Sequence, residues 1–422
     1  MPKYVIIGGS AGGISAVEAI REVDPVGSIT VISEESFPQY SRSMIAEYLS
    51  GEADFKKIKF RDDHFWEKNQ VQALTERKAV RLDIDDRSVE LDGRDKVSFE
   101  KLLIATGARP FIPKMEGIEK NGVVTFTTLS DAEGILARIK EIKRAVVIGG
   151  GRIGVSVSEA LVKRGVKVTL IQRSRVLRRV VDAATSRIVE NLYREAGVDI
   201  LTGHTVQEIL GRPDDDNAVG GVVLDDGEKI QCDLVVLAIG VVPRVELVAE
   251  TEVKVKDGIV VDRFMRTNVL GIYACGDVAE TYDFILDQNR LLPNWPVARL
   301  GGRIAGYNMA GKRTKYPGGT TMSALKYFGV PIVSVGLINV EENEGYEILV
   351  HHDLERNVYK KIVLKDGVVV GMILVNEIER AGIIFHLMRN RVDVERFKQK
   401  LISEDFGLVS LPEQLRKRLF LG

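Results

Sequence analysis

Two short glycine-rich segments, each directly after an apolar run, constrain the fold of this chain more than any other feature. The first segment is Gly8–Gly13, and it follows the run Tyr4–Ile7. The second segment is Gly149–Gly154, and it follows the run Ala145–Ile148. Small residues at a strand-to-helix turn let a pyrophosphate approach the backbone, and the helix N-terminus behind the turn offers free N–H groups. The sequence therefore predicts two dinucleotide sites, and two redox dinucleotides in one chain would allow hydride transfer between them.

Length and charge favour a multidomain globular protein. A chain of 422 residues with 45% hydrophobic content is long enough for two or three domains with their own cores. The net charge of −1 provides no basic footprint for nucleic acid. The longest apolar stretch, Val368–Val375, is too short to span a bilayer, so we expect no membrane span. Because Met1-Pro2-Lys3 leads directly into a strand, we also expect no signal peptide and a cytoplasmic protein.

The cysteines and histidines exclude several kinds of chemistry. Cys232 and Cys275 lie far apart in the sequence, so neither a CxxC nor a CxxxxC redox pair exists. We interpret both as small buried thiols. The five histidines show no metal-ligand spacing, so no metal site is predicted, and His64 and His204 are interpreted as surface residues.

Strand-like runs alternate with helical periods up to about residue 310, which is typical of parallel sheets covered by helices. The pattern predicts a first dinucleotide domain over residues 1–112 and a second over residues 113–240. From Tyr316 onward the pattern changes to alternating strands and a final helical segment. This change predicts a separate α+β module over residues 316–422.

Four motifs in a fixed order and spacing identify a family, although a single glycine turn would be weak support. They are Gly8-Gly9-Ser10-Ala11-Gly12-Gly13, Ala105-Thr106-Gly107-Ala108-Arg109-Pro110, Gly149-Gly150-Gly151-Arg152-Ile153-Gly154 and Tyr273-Ala274-Cys275-Gly276-Asp277-Val278-Ala279. Over essentially its whole length the chain resembles the FAD- and NAD(P)-dependent pyridine nucleotide oxidoreductases. These include rubredoxin and ferredoxin reductases, NADH oxidases and the flavin part of assimilatory nitrite reductases.

The resemblance implies an α/β, glutathione-reductase-like fold with two Rossmann-like domains and a C-terminal α+β interface domain. The FAD-binding domain would be discontinuous, formed by residues 1–112 and 241–312. The inserted residues 113–240 would bind NAD(P), and residues 316–422 would form a homodimer or bind into a larger complex.

The predicted FAD site combines the first glycine turn with residues implied by the resemblance. Glu34, at the end of the second strand, would accept hydrogen bonds from the ribose hydroxyls, unless it belongs to a solvated acidic loop. Asp277 would accept from the ribityl chain, and Arg109 would approach the diphosphate. Trp295 would cover the flavin ring or pack in the core. The predicted FAD contacts are Gly8, Ser10, Ala11, Gly12, Gly13, Glu34, Arg42, Ala105, Thr106, Gly107, Arg109, Asp277 and Trp295.

The second site favours NADP(H) over NAD(H). NAD sites place an acid at the end of the second strand, where this chain has Gln172 followed by arginines at 173, 175, 178 and 179. One charge-assisted hydrogen bond contributes roughly 1.5–3 kcal/mol, which corresponds to about a ten- to hundredfold preference. The alternative is a solvated basic face that leaves NAD(H) usable. The predicted NAD(P) contacts are Gly149, Gly151, Arg152, Ile153, Gly154, Gln172, Arg173, Arg178 and Gly240.

The segment expected at the flavin edge departs from thiol-using relatives. No cysteine lies near Tyr40 or Ser41, which argues against disulfide reduction and against water formation through a sulfenic acid. Glu47 and Ser156 stand where electron-transferring relatives often carry a lysine and a glutamate. Losing both leaves no buried charge unpaired. Arg42 would lie near the flavin or nicotinamide, or on a helix surface.

These features predict an FAD-dependent NAD(P)H:acceptor oxidoreductase whose acceptor is a redox protein, such as rubredoxin or ferredoxin, or an iron–sulfur partner subunit. Hydride transfer between two cofactors needs no acid–base residue, so none is assigned as catalytic. One alternative is a peroxide-forming NAD(P)H oxidase or diaphorase. Another, of a different class, is a flavin-bound structural or sensing subunit.

Overall fold

Two parallel sheets and one antiparallel sheet, each of five strands, organise the chain in a computed structural model. The structure describes residues 3–421, with only the backbone described for Glu342 and residues 418–421. The α-helices are α1 (Ala11–Val23), α2 (Ile45–Ser50), α3 (Phe55–Ile58), α4 (Phe65–Lys68), α5 (Leu129–Arg138), α6 (Arg152–Lys163), α7 (Ala183–Glu195), α8 (Trp295–Met309), α9 (Ala381–Arg389) and α10 (Glu413–Leu421).

Strands make up much of the remaining chain. Those up to the second glycine turn are β1 (Lys3–Ile7), β2 (Ser28–Ile32), β3 (Val71–Leu74), β4 (Ala79–Asp83), β5 (Ser88–Leu91), β6 (Lys96–Ser98), β7 (Lys101–Ile104), β8 (Ala108–Pro110), β9 (Val123–Thr125) and β10 (Arg144–Ile148). Next come β11 (Lys167–Gln172), β12 (Asp199–Thr202), β13 (Val206–Gly211), β14 (Val219–Leu224), β15 (Lys229–Gln231), β16 (Leu234–Leu237), β17 (Val241–Pro243), β18 (Ile259–Val260), β19 (Ile272–Ala274), β20 (Ala279–Asp283) and β21 (Gln288–Leu291). The last are β22 (Met322–Tyr327), β23 (Val330–Gly336), β24 (Glu347–Asp353), β25 (Val358–Lys365) and β26 (Val368–Val375).

The chain divides into two compact units. The first runs up to Phe111 and adds Thr127–Gly134 and Gly240–Thr320. The second contains Ile112–Phe126, Ile135–Ile239 and the chain from Thr321 onward. The three predicted domains, with their boundaries at 112, 240 and 316, remain a proposal about how these units are subdivided.

A parallel sheet with the order β19-β7-β1-β2-β3 forms the centre of the first unit. β1 and β7 carry consecutive apolar residues that are buried on both faces, as expected for central parallel strands. The strand order reverses direction between β1 and β7. The carboxyl end of β1, where the first glycine turn lies, is therefore at the topological switch point, where open α/β sheets bind ligands.

The second unit contains an equivalent parallel sheet with the order β12-β11-β10-β16-β9. Its reversal lies between β10 and β16, so the second glycine turn occupies the corresponding position. The same unit carries a five-stranded antiparallel sheet, β22-β23-β26-β25-β24, followed by α9. We call the part of this unit from Met322 onward the C-terminal module.

The predicted α/β class, with two Rossmann-like sheets and a C-terminal α+β module, is confirmed. Within residues 3–421, no helix combines the length and apolar character needed to cross a membrane.

Candidate functional sites

The N-terminus of α1 carries no capping side chain. Ser10 is the N-cap residue, and its side chain makes no capping hydrogen bond. The first turn of the helix also contains no acidic residue. Free N–H groups and the positive end of the helix dipole therefore favour an anion at this end. The predicted contacts Ser10 and Ala11 lie at this helix start, which suits a pyrophosphate.

Close backbone packing explains the glycines of the first turn. Gly8 has φ = 112°, and a Cβ there would overlap the carbonyl oxygen of Ala105. A Cβ on Gly13 would overlap the carbonyl oxygen of Gly8. A Cβ on Gly12 would come within 2.8 Å of the Cys275 sulfur. The turn, the end of β7 and the segment after β19 are thereby held in mutual contact.

Both cysteines are buried free thiols. Cys275 is 0% exposed and Cys232 is 1% exposed. Burial raises the pKa of each thiol to about 12. Because the thiolate is the reactive form, neither residue is suited to redox chemistry near neutral pH.

We expect both thiols of the native protein to resist a chromogenic aromatic disulfide at pH 8 and to react fully once the chain is unfolded in guanidinium. The reason is that burial blocks access and keeps both groups protonated. Released chromophore, followed by absorbance in the two states, measures this. Rapid reaction of either thiol in the native protein would contradict the packing role.

The Ala-Thr-Gly turn after β7 is tied to the segment after β17. The Thr106 hydroxyl donates to the backbone oxygen of Arg244 at 2.9 Å, and the Arg244 N–H donates to the oxygen of Gly107 at 2.9 Å. The Arg109 guanidinium forms an ion pair with Glu246 at 2.7 Å. The side chain predicted to approach the diphosphate is thus engaged by a neighbouring carboxylate in this structure.

Glu34 lies just beyond the end of β2 and is exposed. Its carboxylate pairs with the guanidinium of Arg244 at 2.7 Å and lies 4.0 Å from the Lys78 ammonium. The Nε atom of Arg244 is buried without a hydrogen-bond partner among the described residues. Arg244 is therefore a candidate site residue that the sequence did not indicate, since it lies far along the chain from Glu34.

A hydrogen-bond network surrounds Tyr40. The Tyr40 hydroxyl donates to Glu35 at 2.5 Å and accepts from the backbone N–H of Leu129 at 3.0 Å. Burial, together with the neighbouring Glu35 carboxylate, raises the pKa of Tyr40. Arg42 pairs with Glu35 and donates to the oxygen of Thr127 at 3.0 Å. These contacts link Arg42 to the segments that contain Glu35 and Thr127.

The start of α8 and the turn after β19 provide the remaining predicted FAD contacts. Asp277 is partly buried in a 3₁₀ turn, Gly276–Val278. Trp295 is the first residue of α8, where Asn294 caps the helix by accepting from the Val297 N–H at 2.9 Å. The indole packs edge-to-face on Phe60 with ring centroids 5.0 Å apart. This contact gives Trp295 a packing role whether or not it also covers a flavin.

The second glycine turn repeats the first in detail. Gly149 has φ = 107°, and a Cβ on Gly154 would overlap the Gly149 carbonyl oxygen. Gly151 is the N-cap of α6, and a Cβ there would meet nothing within 4 Å. The uncapped helix start beside open space suits a second pyrophosphate. Of the other predicted contacts, Arg152 and Ile153 open α6, while Gly240 lies in the first unit.

Gln172 braces the second glycine turn. Its Oε1 accepts from the Gly150 N–H at 2.8 Å, and its Nε2 donates to the Ser174 hydroxyl at 3.0 Å. A glutamate at position 172 could not donate the hydrogen bond that Gln172 Nε2 donates to Ser174. The glutamine is thus accounted for by local structure, in addition to the absence of an acid that would repel a 2′-phosphate.

The arginines after β11 separate into two groups. Arg175 is half-buried and donates to the oxygen of Val181 and the hydroxyl of Ser186, both at 2.7 Å. By contrast, three arginines are exposed and have no side-chain partner among the described residues: Arg173, Arg178 and Arg179. Arg173 and Arg178, the two predicted nucleotide contacts, are in this available group.

One histidine lies in a cluster that the sequence could not show. His204 Nδ1 is 3.3 Å from Asp225 and 3.6 Å from Asp226, and both carboxylates are exposed. Exposed acidic groups commonly gather without an ion, so we assign no metal to this cluster.

Comparison with known proteins agrees with the two glycine turns and the C-terminal module. The profile of the pyridine nucleotide-disulphide oxidoreductases matches residues 2–302, and that of the rubredoxin NAD+ reductase C-terminal domain matches residues 322–392. The chain is 32% identical to the NADH-dependent phenylglyoxylate dehydrogenase subunit epsilon of Aromatoleum evansii, covering 96% of each chain. It is 31% identical to the nitrite reductase [NAD(P)H] of Bacillus subtilis (strain 168), covering 93% of this chain but 48% of the relative.

The chain thus spans about half the length of that nitrite reductase. Among solved structures, the covalent putidaredoxin reductase–putidaredoxin complex aligns with a TM-score of 0.88 and 26% identity, covering 99% of this chain and 98% of the other. Together with the open helix starts at both glycine turns, these matches confirm the resemblance seen in the sequence. The chain belongs to the pyridine nucleotide-disulphide oxidoreductase family and is an NAD(P)H-dependent flavin oxidoreductase with a rubredoxin-reductase-type C-terminal domain.

Proposed function

We propose that this chain takes electrons from NADPH into FAD and passes them to a separate redox protein or to an iron–sulfur partner subunit. The observation that carries the proposal is the burial of both thiols, Cys232 and Cys275, with pKa values raised to about 12. A relay through a protein disulfide or sulfenic acid needs an accessible thiolate. Without one, electrons that reach the flavin leave directly to an external acceptor.

Several relatives act with a partner protein or as a subunit of a larger enzyme, which supports a protein acceptor. The aligned putidaredoxin reductase was solved in a covalent complex with putidaredoxin. The subunit epsilon relative is part of a phenylglyoxylate dehydrogenase, and another relative is an assimilatory nitrate reductase electron transfer subunit of Bacillus subtilis (strain 168). We therefore propose an iron–sulfur or rubredoxin-type centre as the acceptor of this chain.

In the first unit, the residues present fit FAD. The open start of α1 would bind the pyrophosphate, and Glu34 with Arg244 would contact the adenosine ribose. The unpartnered Nε of Arg244 supports a polar ligand there, since buried donors normally have a partner. Asp277 would accept from the ribityl chain. FAD, when bound, supplies the exchange between two-electron donors and one-electron acceptors, while the protein orients it and excludes water.

In the second unit, the fit is to a nicotinamide dinucleotide. The start of α6 beside Gly151 would bind its pyrophosphate. Arg173 and Arg178 would contact the 2′-phosphate of NADPH, because both are exposed and have no protein partner among the described residues. Gln172 adds no negative charge at this position. These features favour NADPH over NADH.

Replacing Arg173 with alanine is expected to raise KM for NADPH about tenfold while leaving KM for NADH nearly unchanged, since only NADPH carries the phosphate. Arg178→Ala is expected to act in the same direction. Steady-state kinetics with both nucleotides measure the change in preference. Arg138→Ala, which removes a partly exposed arginine whose guanidinium lies 3.9 Å from the Glu141 carboxylate, is the matched control. Equal effects on both nucleotides would contradict the assignment.

An acceptor panel tests the proposal as a whole. The FAD-loaded protein is supplied with NADPH and, separately, with oxidised ferredoxin, oxidised rubredoxin, a quinone, a disulfide and oxygen. Turnover with an iron–sulfur or rubredoxin-type protein well above that with oxygen and the disulfide is the expected result. Disulfide reduction at the highest rate would overturn it. Oxygen or quinone reduction at the highest rate would instead indicate an oxidase or diaphorase.

A further inference from the structure

The segment that carries the available arginines lies against the C-terminal module. We call Arg173–Asp182, which joins β11 to α7, the arginine loop. The Ser334 hydroxyl donates to the backbone oxygen of Val180 at 2.5 Å. The Asn339 side-chain amide donates to the backbone oxygen of Arg178 at 3.1 Å. Both donors belong to the C-terminal module, so side chains of this module hold the backbone of the arginine loop by hydrogen bonds.

Asn339 also holds the loop through a side chain. Its Oδ1 accepts from Arg175 Nη2 at 2.8 Å, while Nη1 of Arg175 donates to Val181 and Ser186. The Asn339 side chain thus connects the backbone of the loop at Arg178 to the guanidinium of Arg175. The Arg175 guanidinium therefore stabilises the conformation of the loop, and its hydrogen bonds to protein atoms leave it unavailable to a ligand.

A buried charge group fixes the end of the arginine loop. Asp182 is 7% exposed, and it accepts from the Tyr359 hydroxyl at 2.6 Å and lies 3.4 Å from the Lys361 ammonium. It also caps α7 by accepting from the Thr185 N–H at 3.0 Å. Burial alone would raise the pKa of Asp182, but these hydrogen bonds hold it below its ordinary value. The carboxylate is therefore ionised at neutral pH and joins the loop to the C-terminal module.

The other side of the loop is joined to the second glycine turn. The Leu177 N–H donates to the backbone oxygen of Gly150 at 2.7 Å, and Leu177 has φ = 55°. Leu177 is buried, and a residue other than glycine rarely has a positive φ unless neighbouring contacts fix its backbone. The loop is thus held between the glycine turn and the C-terminal module, and the exposed Arg173 and Arg178 side chains project from a fixed backbone.

We propose that the C-terminal module sets the NADPH preference of this protein by holding the arginine loop in a phosphate-binding shape, with Asn339 as a positioning residue. The proposal rests on the function proposed above, in which Arg173 and Arg178 contact the 2′-phosphate. Asn339 touches no nucleotide in this scheme. It acts by keeping the loop ordered before the nucleotide binds, so that phosphate binding does not lose the conformational entropy of a flexible loop.

The test is direct binding to the full-length FAD-loaded protein by calorimetry, with adenosine 2′,5′-bisphosphate and 5′-AMP as probes. Asn339→Ala is expected to weaken binding of the bisphosphate about three- to tenfold and to leave 5′-AMP binding unchanged, since only the bisphosphate uses the loop arginines. Asn339 is exposed, so its replacement should leave the thermal midpoint nearly unchanged. Asn390→Ala is the control, because the Asn390 side-chain amide also donates to a backbone oxygen, that of His386 in α9, and does not contact the arginine loop.

Three outcomes would overturn the inference, and they differ. If the parent protein binds both probes equally, the proposed NADPH preference is wrong, and so is the positioning role that depends on it. If the parent prefers the bisphosphate and Asn339→Ala retains that preference, the preference stands and the positioning role alone fails. Parallel weakening of both probes would mean that Asn339 supports the whole domain and not phosphate selection. Ser334→Ala, which removes the other main-chain contact, should repeat the selective loss.

Discussion

Gly13→Ala is expected to yield a protein that no longer retains FAD. The added Cβ would overlap the carbonyl oxygen of Gly8 and come within 3.2 Å of an Ile6 methyl group. A backbone atom cannot move aside as a flexible side chain can, so α1 must shift away from the end of β1. Overpacking of this kind costs about 1–3 kcal/mol. Since the start of α1 is the proposed pyrophosphate site, we expect FAD affinity to fall about tenfold or more.

The flavin-to-protein absorbance ratio after purification, followed by an FAD titration, measures this effect. Gly134→Ala is the matched control, because a Cβ there meets nothing within 4 Å. It lies in the same unit and should retain a full complement of FAD. Full FAD retention by Gly13→Ala, with unchanged affinity, would contradict the placement of FAD at the first glycine turn.

Gly154→Ala is expected to show the opposite pattern, with FAD retained and reduction by NADPH slowed. Its Cβ would overlap the Gly149 carbonyl oxygen and lie 3.3 Å from the Ala238 Cβ. The start of α6 would then be displaced from the second glycine turn, while the first unit is untouched. By the same reasoning we expect NADP(H) affinity to fall about tenfold or more.

Two measurements separate the effects, the flavin content and the rate of anaerobic flavin bleaching by NADPH. Gly382→Ala, in α9, is the control within the second unit, since its Cβ has open space. Bleaching of Gly154→Ala at the parental rate would show that NADPH does not use the second turn. Loss of FAD from this variant would show that the two sites had been assigned in the wrong order.

Local patterns predicted the fold because each Rossmann-like half is encoded within one continuous stretch. The apolar runs before Gly8 and Gly149 form central buried strands, and in each turn a Cβ on the first or the last glycine would overlap backbone. Gln172 was correctly placed at the end of β11, but only the structure shows that it braces Gly150. Strand, turn and helix are adjacent in sequence, so periodicity and residue size were sufficient.

Contacts between distant segments could not be predicted in this way. Arg244 meets Glu34 only because β17 pairs with β8, which places the segment after β17 beside the first turn. Asn339 meets Arg175 only because the C-terminal module lies on the arginine loop. Sequence alone showed a row of arginines, and the structure separates the committed Arg175 from the available Arg173. Such pairings depend on sheet register and module packing, which leave no local signal.

The role of Tyr40 was also beyond sequence reasoning. The absence of a cysteine near this position was clear, but its consequence was not. Tyr40 is 1% exposed and links Glu35 to the Leu129 backbone, so the position serves packing and hydrogen bonding. The segment that we propose to lie at the flavin edge therefore carries a buried, hydrogen-bonded tyrosine at this position.

Anaerobic reduction of the FAD-loaded protein by NADPH, followed by a choice of acceptors, tests the central proposal most directly. One equivalent of NADPH is added without oxygen, and flavin absorbance is followed after admitting either air or an oxidised iron–sulfur or rubredoxin-type protein. We expect rapid bleaching, reduced flavin that persists for minutes in air, and prompt recovery with the protein acceptor. Absence of bleaching by NADPH and NADH, or recovery in air as fast as with any protein acceptor, would contradict the proposal.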